Sequence, residues 1–282
     1  MDLETIEIEA NGLTFSARAC GPADGRPVLL LHGFPQSSWS WREILATLGE
    51  AGYRAVAPDQ RGYSSGARPP AVADYAMVHL VADVLAIADT LGMDTFDLVG
   101  HDWGGMVAWT VAGQHPERLR SLTVVSTPHP GALIAVITAG ADDQAERMSY
   151  IGFFQQPEAP ERQLLGEDGS GSGLRELFAS TGLDPAVTGE YVSVLTEPGA
   201  LTGALNWYRA MGSVDGLDPV STPTLYVWSS EDPALGRLAA QATEQWVAGP
   251  YRFEILDGVS HWVPEEAGPE LGRLLLDHLA AT

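Results

Sequence analysis

The sequence contains no lysine: all 15 of its basic residues are arginine. That absence excludes a Schiff-base lysine, covalently held pyridoxal phosphate and the phosphate-binding lysine of a Walker A loop. Cysteine is nearly missing as well. Cys20 stands alone, so neither an internal disulfide nor a cysteine-rich metal site can form. Positive charge is scarce against 37 acidic residues, and the formal net charge is −22 over 282 residues. Such a field opposes phosphate backbones and anionic membrane surfaces, so neither nucleic acid nor a membrane is expected as a partner. No apolar run approaches the roughly 18 residues needed to cross a bilayer. The segment Met1 to Ala10 alternates acidic and apolar residues and lacks the basic and apolar regions of a signal peptide. A soluble cytoplasmic protein is expected. His-Glu-x-x-His and paired-cysteine spacings are also absent. The run Asp168 to Gly173 matches the first half of an EF-hand loop, but Ala179 stands where the bidentate carboxylate is needed. It reads as a mobile loop, and no metal is expected.

What is present is the composition of a globular chain, with 45% apolar and 18% charged residues. Strands are expected at Glu4 to Glu9 and Leu13 to Ala19, joined by Asn11-Gly12, a strong two-residue hairpin signal. Pro27 to His32 is continuously apolar until its last residue, which suits a strand buried on both faces of a parallel sheet. Similar runs recur at Arg54 to Ala57, Phe96 to Gly100, Ser121 to Ser126, Thr224 to Trp228 and Tyr251 to Leu256. Helical periodicity lies between them. Over Tyr75 to Leu91 the apolar stripe is Met77, Leu80, Val81, Val84, Ala88 and Leu91, with Gly92 at the C-terminal cap. The last helix carries Leu271, Leu274, Leu275 and Leu279, with Pro269 near its first turn. Alternating strands and helices predict an α/β fold with a mostly parallel sheet. The alternation breaks from Pro130 to Leu217, which reads as an inserted helical lobe. The expected organisation is a core over 1–129 and 218–282 with the insertion at 130–217.

Chemistry concentrates at Gly100-His101-Asp102-Trp103-Gly104-Gly105, where an apolar strand runs into Gly-x-Asp-x-Gly-Gly and then a helix. This is the spacing of a nucleophile elbow with aspartate in the serine position. Alone, it also fits an aspartate that caps a helix. Two further segments weigh against capping. The strand to His32 leads into Gly33-Phe34-Pro35, a loop able to present an oxyanion donor. Downstream, Glu231-Asp232 and His261 each follow a strand. The order is therefore Asp102, Asp232, His261, all at carboxyl ends of strands, where open α/β sheets build their sites.

With these motifs in family order along the whole chain, the sequence resembles an α/β-hydrolase, in the branch with an aspartate nucleophile that includes epoxide hydrolases and haloalkane dehalogenases. The α/β-hydrolase fold so implied is a mostly parallel eight-stranded sheet flanked by helices, with an inserted helical cap. The segment Asn206-Trp207-Tyr208-Arg209 resembles the matching stretch of soluble epoxide hydrolases. Tyr150 to Pro157 resembles the segment bearing their other cap tyrosine, departing at Gly152 and Phe153. The resemblance implies Asp102 as nucleophile, His261 as base and Tyr150 and Tyr208 as proton donors to an epoxide oxygen. Asp232 follows its strand at the offset of the family's orienting acid, although neighbouring Glu231 could also reach. Backbone N–H groups of Phe34 and Trp103 would form the oxyanion hole. Phe34, Trp103, Phe154 and Trp207 are expected to line an apolar substrate site.

The implied substrates are a small apolar epoxide and water, with no cofactor; a homo-oligomer is left open. Pro58 to Tyr63 resembles a family loop and is read as structural. His32 is expected to shape the oxyanion loop, His101 and His129 to be structural and His115 to end a helix. Haloalkane dehalogenation is the nearest alternative, since Trp103 follows the nucleophile. Phe34, however, stands where those enzymes commonly supply an asparagine. A non-catalytic binder of an apolar ligand is the alternative of another class, against which the complete constellation of Asp102, Asp232 and His261 argues.

Overall fold

Asn11 and Gly12 both take positive φ, 52° and 73°, the backbone that a two-residue hairpin turn requires. The turn joins β1 (Glu4–Ala10) to antiparallel β2 (Leu13–Cys20), with Ala10 opposite Leu13. The structure, a computed structural model, describes residues 2–212 and 218–282. The other apolar runs become β3 (Arg26–Leu31), β4 (Tyr53–Pro58), β5 (Phe96–His101), β6 (Leu119–Val125), β7 (Thr224–Ser229) and β8 (Tyr251–Leu256). Among the described residues these strands make one eight-stranded sheet, ordered β1-β2-β4-β3-β5-β6-β7-β8. β2 runs antiparallel to both neighbours, and all other pairings are parallel. β5 and β7 are buried along their whole length, which is why these strands show no polar alternation.

Helices cover both faces. The first three are α1 (Arg42–Glu50), α2 (Met77–Thr90) and α3 (Trp103–Gln114). Seven more stand between β6 and β7 among the described residues. They are α4 (Pro130–Ala139), α5 (Gln144–Arg147), α6 (Tyr150–Phe154), α7 (Ala159–Leu165), α8 (Ser172–Ala179), α9 (Pro185–Leu195) and α10 (Ala200–Arg209). After β7 come α11 (Arg237–Ala242), α12 (Val263–Glu266) and α13 (Gly268–Ala281). The period of two in β3 divides its side chains between the faces. Leu29 and Leu31 join the core under α2 and α3, while Val28 and Leu30 pack with Ile44 and Leu45 of α1 and Leu274 and Leu275 of α13. Among the described residues, no helix is long and apolar enough to cross a membrane.

Two local expectations change. α2 starts at Met77 rather than Tyr75, because Val72–Tyr75 forms a 3-10 turn and Ala76 is extended. The Tyr75 hydroxyl is thereby turned onto the Pro69 carbonyl, 2.9 Å away. The run Asp168 to Gly173, expected as a loop, is a turn in its first part, with Gly169 and Gly171 at positive φ, while Ser172 and Gly173 already belong to α8. Leu217, the expected end of the insertion, lies outside the described residues.

The loop after β4 seats α10. Gly203 of α10 lies on Gly62 so closely that a Cβ on either would strike the other's backbone. Beside it the Trp207 indole N–H donates to the Arg61 carbonyl at 2.8 Å. Arg61 is itself pinned by two hydrogen bonds to buried Asp83, at 2.6 and 2.7 Å. Paired Arg–carboxylate bonds fix geometry as well as charge. Arg209 makes a similar pair with Glu161 of α7. Tyr208, between Trp207 and Arg209, is therefore aimed by contacts on both sides.

Candidate active site

Asp102 sits between β5 and α3 at φ 52° and ψ −119°, a backbone region that costs a non-glycine residue energy and marks functional turns. The surrounding glycines permit the approach. A Cβ on Gly100 would strike the Gly104 backbone, one on Gly104 would strike Leu31, and one on Gly33 would strike Asp102 itself. The turn is held by the Thr127 hydroxyl, which donates to the Asp102 carbonyl at 2.8 Å.

The Asp102 carboxylate has distinct ends. Oδ1 accepts from the Phe34 N–H at 2.8 Å, and Oδ2 lies 3.6 Å from His261 Nε2. Burial alone would push this carboxyl up. The pull of His261, helped by the Trp103 backbone N–H, outweighs burial and holds it below the usual carboxylate range. Asp102 is thus ionised, and both expected oxyanion donors, Phe34 and Trp103, already face it.

His261 follows β8. Its Nδ1 lies 2.7 Å from Asp232 Oδ2. The other Asp232 oxygen accepts from the N–H groups of Ala234 and Leu235 at 2.8 and 2.9 Å, so the acid is fixed before it meets the histidine. Glu231 is exposed; of the two neighbours, Asp232 is the one that reaches. Burial would lower the His261 pKa, but the two carboxylates raise it well above the ordinary histidine value. The resting site is therefore an imidazolium between two carboxylates.

Tyr150 of α6 and Tyr208 of α10 face this group, their ring centroids 6.4 Å apart. Burial first, then the Asp102 charge among other neighbours, raises both hydroxyls above the ordinary phenol range. Both stay protonated at neutral pH and can donate. Together with Asp102 and Trp103 they line a cavity of about 180 Å³. The remaining wall is mostly apolar, with Leu133, Ile134 and Ile137 of α4 opposite Met106, Met148 and Met211.

Of the four expected lining residues, Trp103 is the one that lines this cavity. Phe34 and Phe154 instead pack edge-on against Tyr208, with centroids 5.4 and 5.1 Å away. Trp207 turns its N–H to Arg61 and packs against Trp103 at 5.7 Å. All three stand behind Tyr208 and Trp103 rather than on the cavity surface. The α4 residues were missed because an unbroken apolar helix carries no polar stripe to show which face is open. The half-exposed Ile134, at 47%, is the one hint of it. The His32 Nε2 accepts from the Gln60 N–H at 3.1 Å, which braces the loop that carries Phe34. His129 caps α4 through Nδ1, and His115 caps the end of α3.

Residues 26–267 match the family model described as the alpha/beta hydrolase fold. The chain is 34% identical to the AB hydrolase superfamily protein YfhM of Bacillus subtilis and 30% identical to epoxide hydrolase A of Mycobacterium tuberculosis, each match covering 96% of both chains. It superposes on the crystal structure of epoxide hydrolase A from Mycobacterium thermoresistibile with a TM-score of 0.85 at 28% identity, covering 99% of this chain and 98% of that one. Asp102, Asp232, His261, Tyr150 and Tyr208 thus stand together in a chain that belongs to the α/β-hydrolase family, on its epoxide hydrolase-like branch.

Proposed function

We propose that the protein is an epoxide hydrolase that converts an apolar epoxide to a vicinal diol, with 130–217 acting as a cap over a core formed by 1–129 and 218–282. One observation carries the assignment: an ionised, non-serine nucleophile and two protonated phenols face each other across one apolar cavity. A carboxylate needs no base to attack an sp³ carbon. Asp102 Oδ2 attacks a ring carbon and the C–O bond breaks towards the tyrosines. The alkoxide takes a proton from Tyr150 or Tyr208, which regains one from solvent. The product is a hydroxyalkyl ester of Asp102.

Esterification removes the Asp102 charge, one of the two that keep His261 protonated. The histidine then loses its proton more readily and becomes a base. It takes a proton from water, the hydroxide attacks the ester carbon, and the oxyanion forms where Asp102 Oδ1 meets the Phe34 N–H, with the Trp103 N–H also turned to the carboxyl. Collapse breaks the ester C–O bond, the departing alkoxide takes the proton held by His261 and leaves as the diol, and the regenerated Asp102 carboxyl returns its own proton to His261. No step calls for a cofactor. A halide cradle fits less well, because the Phe34 side chain has no donor to set beside the Trp103 indole. The net charge of −22 favours solubility, in keeping with a cytoplasmic enzyme.

The route of the water oxygen tests the scheme. In a single turnover with excess enzyme in H₂¹⁸O, the label is expected in the Asp102 carboxylate and not in the diol. Label in the first diol would mean direct attack of water on the ring and would remove Asp102 from the nucleophile role.

The tyrosines act in the first step alone. Tyr208→Phe or Tyr150→Phe should each slow ester formation about 10²-fold, and the pair about 10⁴-fold. Ester hydrolysis should be unchanged, as rapid-quench mass spectrometry can determine. Equal losses in both steps would point to a collapsed site.

A further inference from the structure

Behind the triad, away from the cavity, runs a second buried polar chain that the two-step scheme leaves unused. His101, at the end of β5, puts Nε2 2.9 Å from the His261 carbonyl oxygen and Nδ1 2.9 Å from Gln36 Oε1. The amide nitrogen of Gln36 lies 2.7 Å from Glu265 Oε1. Glu265, in α12 just beyond His261, also accepts from the Tyr191 hydroxyl of α9. Its Oε2 is buried with no hydrogen-bond partner among the described residues.

Proton counting gives this chain two forms. A carbonyl oxygen only accepts, so His101 must donate from Nε2. With the Gln36 oxygen at Nδ1, His101 carries two protons and Glu265 is a carboxylate. With the amide turned over, His101 is neutral and accepts at Nδ1, and a protonated Glu265 donates to the amide oxygen. The two forms differ in where one proton sits. Burial favours the neutral form. It pushes Glu265 up to about 7, against Tyr191, Gln36 and Arg42, which all favour the carboxylate. It also lowers His101 to about 4; His261 adds to this, while Asp102 and Asp232 oppose it. An unpartnered oxygen is also cheaper to bury on a neutral carboxyl than on a carboxylate.

We propose that Glu265 is a positioning residue for ester hydrolysis: across the Gln36 amide it sets the protonation of His101, and hence how the His261 backbone is held, while Tyr191 ties that setting to the inserted helices. The inference rests on the role of His261 as the hydrolytic base. The rings of His101 and His261 are 4.9 Å apart. When His261 takes the water proton it becomes a cation, and a neutral His101 does not repel it. An ionised Glu265 draws the amide N–H to itself and turns the Gln36 oxygen onto Nδ1. His101 then either loses that bond or gains a proton beside His261, and both disturb the base.

The test is pre-formed ester decay followed across pH in wild type, Glu265→Gln and Tyr191→Phe. In wild type the decay rate should rise as His261 becomes available, then fall about threefold or more above neutrality as Glu265 ionises. Glu265→Gln, an amide that can still donate to Gln36, should lose the falling limb. Tyr191→Phe removes a donor to the carboxylate and should move that limb to higher pH. A Glu265→Gln profile that superimposes on the wild type's would overturn the proposal. A second arm needs no substrate: the ¹⁵N shifts of His101 should change through the same ionisation in wild type and stay constant in Glu265→Gln. Constant shifts in both would overturn it too. If wild type forms no ester with any epoxide, the hydrolase reaction fails instead, and the ¹⁵N arm still decides whether Glu265 governs His101.

Discussion

Asp102→Asn should form no covalent adduct with any epoxide and should lose about 10⁴-fold or more in diol formation. The substitution is close to isosteric. The asparagine carbonyl can still accept from the Phe34 N–H, which binds Oδ1 at 2.8 Å in the native protein. Its backbone demand is unchanged, because asparagine branches as aspartate does and meets the same φ of 52° and ψ of −119°. What disappears is the second oxygen, the one 3.6 Å from His261. An amide nitrogen in that place has no lone pair to offer a ring carbon. Removing this charge also leaves His261 with one carboxylate instead of two, so its pKa should fall relative to the native protein. Intact-protein mass spectrometry with a panel of epoxides checks the first claim, and NMR titration of His261 checks the second. An adduct on another residue would withdraw the assignment of Asp102.

The parts of the fold and of the site that the sequence reveals are those fixed by local chemistry. The Asn11-Gly12 turn, the glycines flanking Asp102 and the positions just after strands each follow from what neighbouring residues permit. The offset of Asp232 after its strand favours it over Glu231, and the Asx turn in which Asp232 receives the Ala234 and Leu235 N–H groups supports that choice, while Glu231 is exposed. Tertiary contacts were the least legible. Phe34, Phe154 and Trp207 are aromatic and close to the site, yet they stand behind Tyr208 and Trp103, because the seat of α10 on Gly62 decides which ring faces the cavity. The chain from His101 through Gln36 to Glu265 joins residues 65 and 229 positions apart. No periodicity or motif spacing encodes such a pairing, so His101 read as merely structural.

His261→Gln should separate the two halves of the reaction most widely. Ester formation draws on Asp102, Tyr150 and Tyr208, none of which is altered. Loss of the imidazolium removes the attraction that holds the Asp102 carboxyl low against burial. Its pKa should therefore rise, and at pH 8 enough carboxylate should remain for attack. Hydrolysis, by contrast, loses its base, and general-base catalysis contributes about 10²–10⁴-fold. The ester should accumulate, and its added mass should equal that of the whole epoxide, because ring opening expels nothing. That arithmetic also discriminates chemistries. A haloalkane that alkylates the same residue adds its alkyl group without the halogen, and such an adduct in place of the epoxide's would assign the site to dehalogenation. The glutamine amide can still reach Asp232, which limits the disturbance to the Nε2 end of the ring that it replaces. A variant that turns over repeatedly without an observable ester would mean that another group activates the water, and the role given to His261 would have to be abandoned.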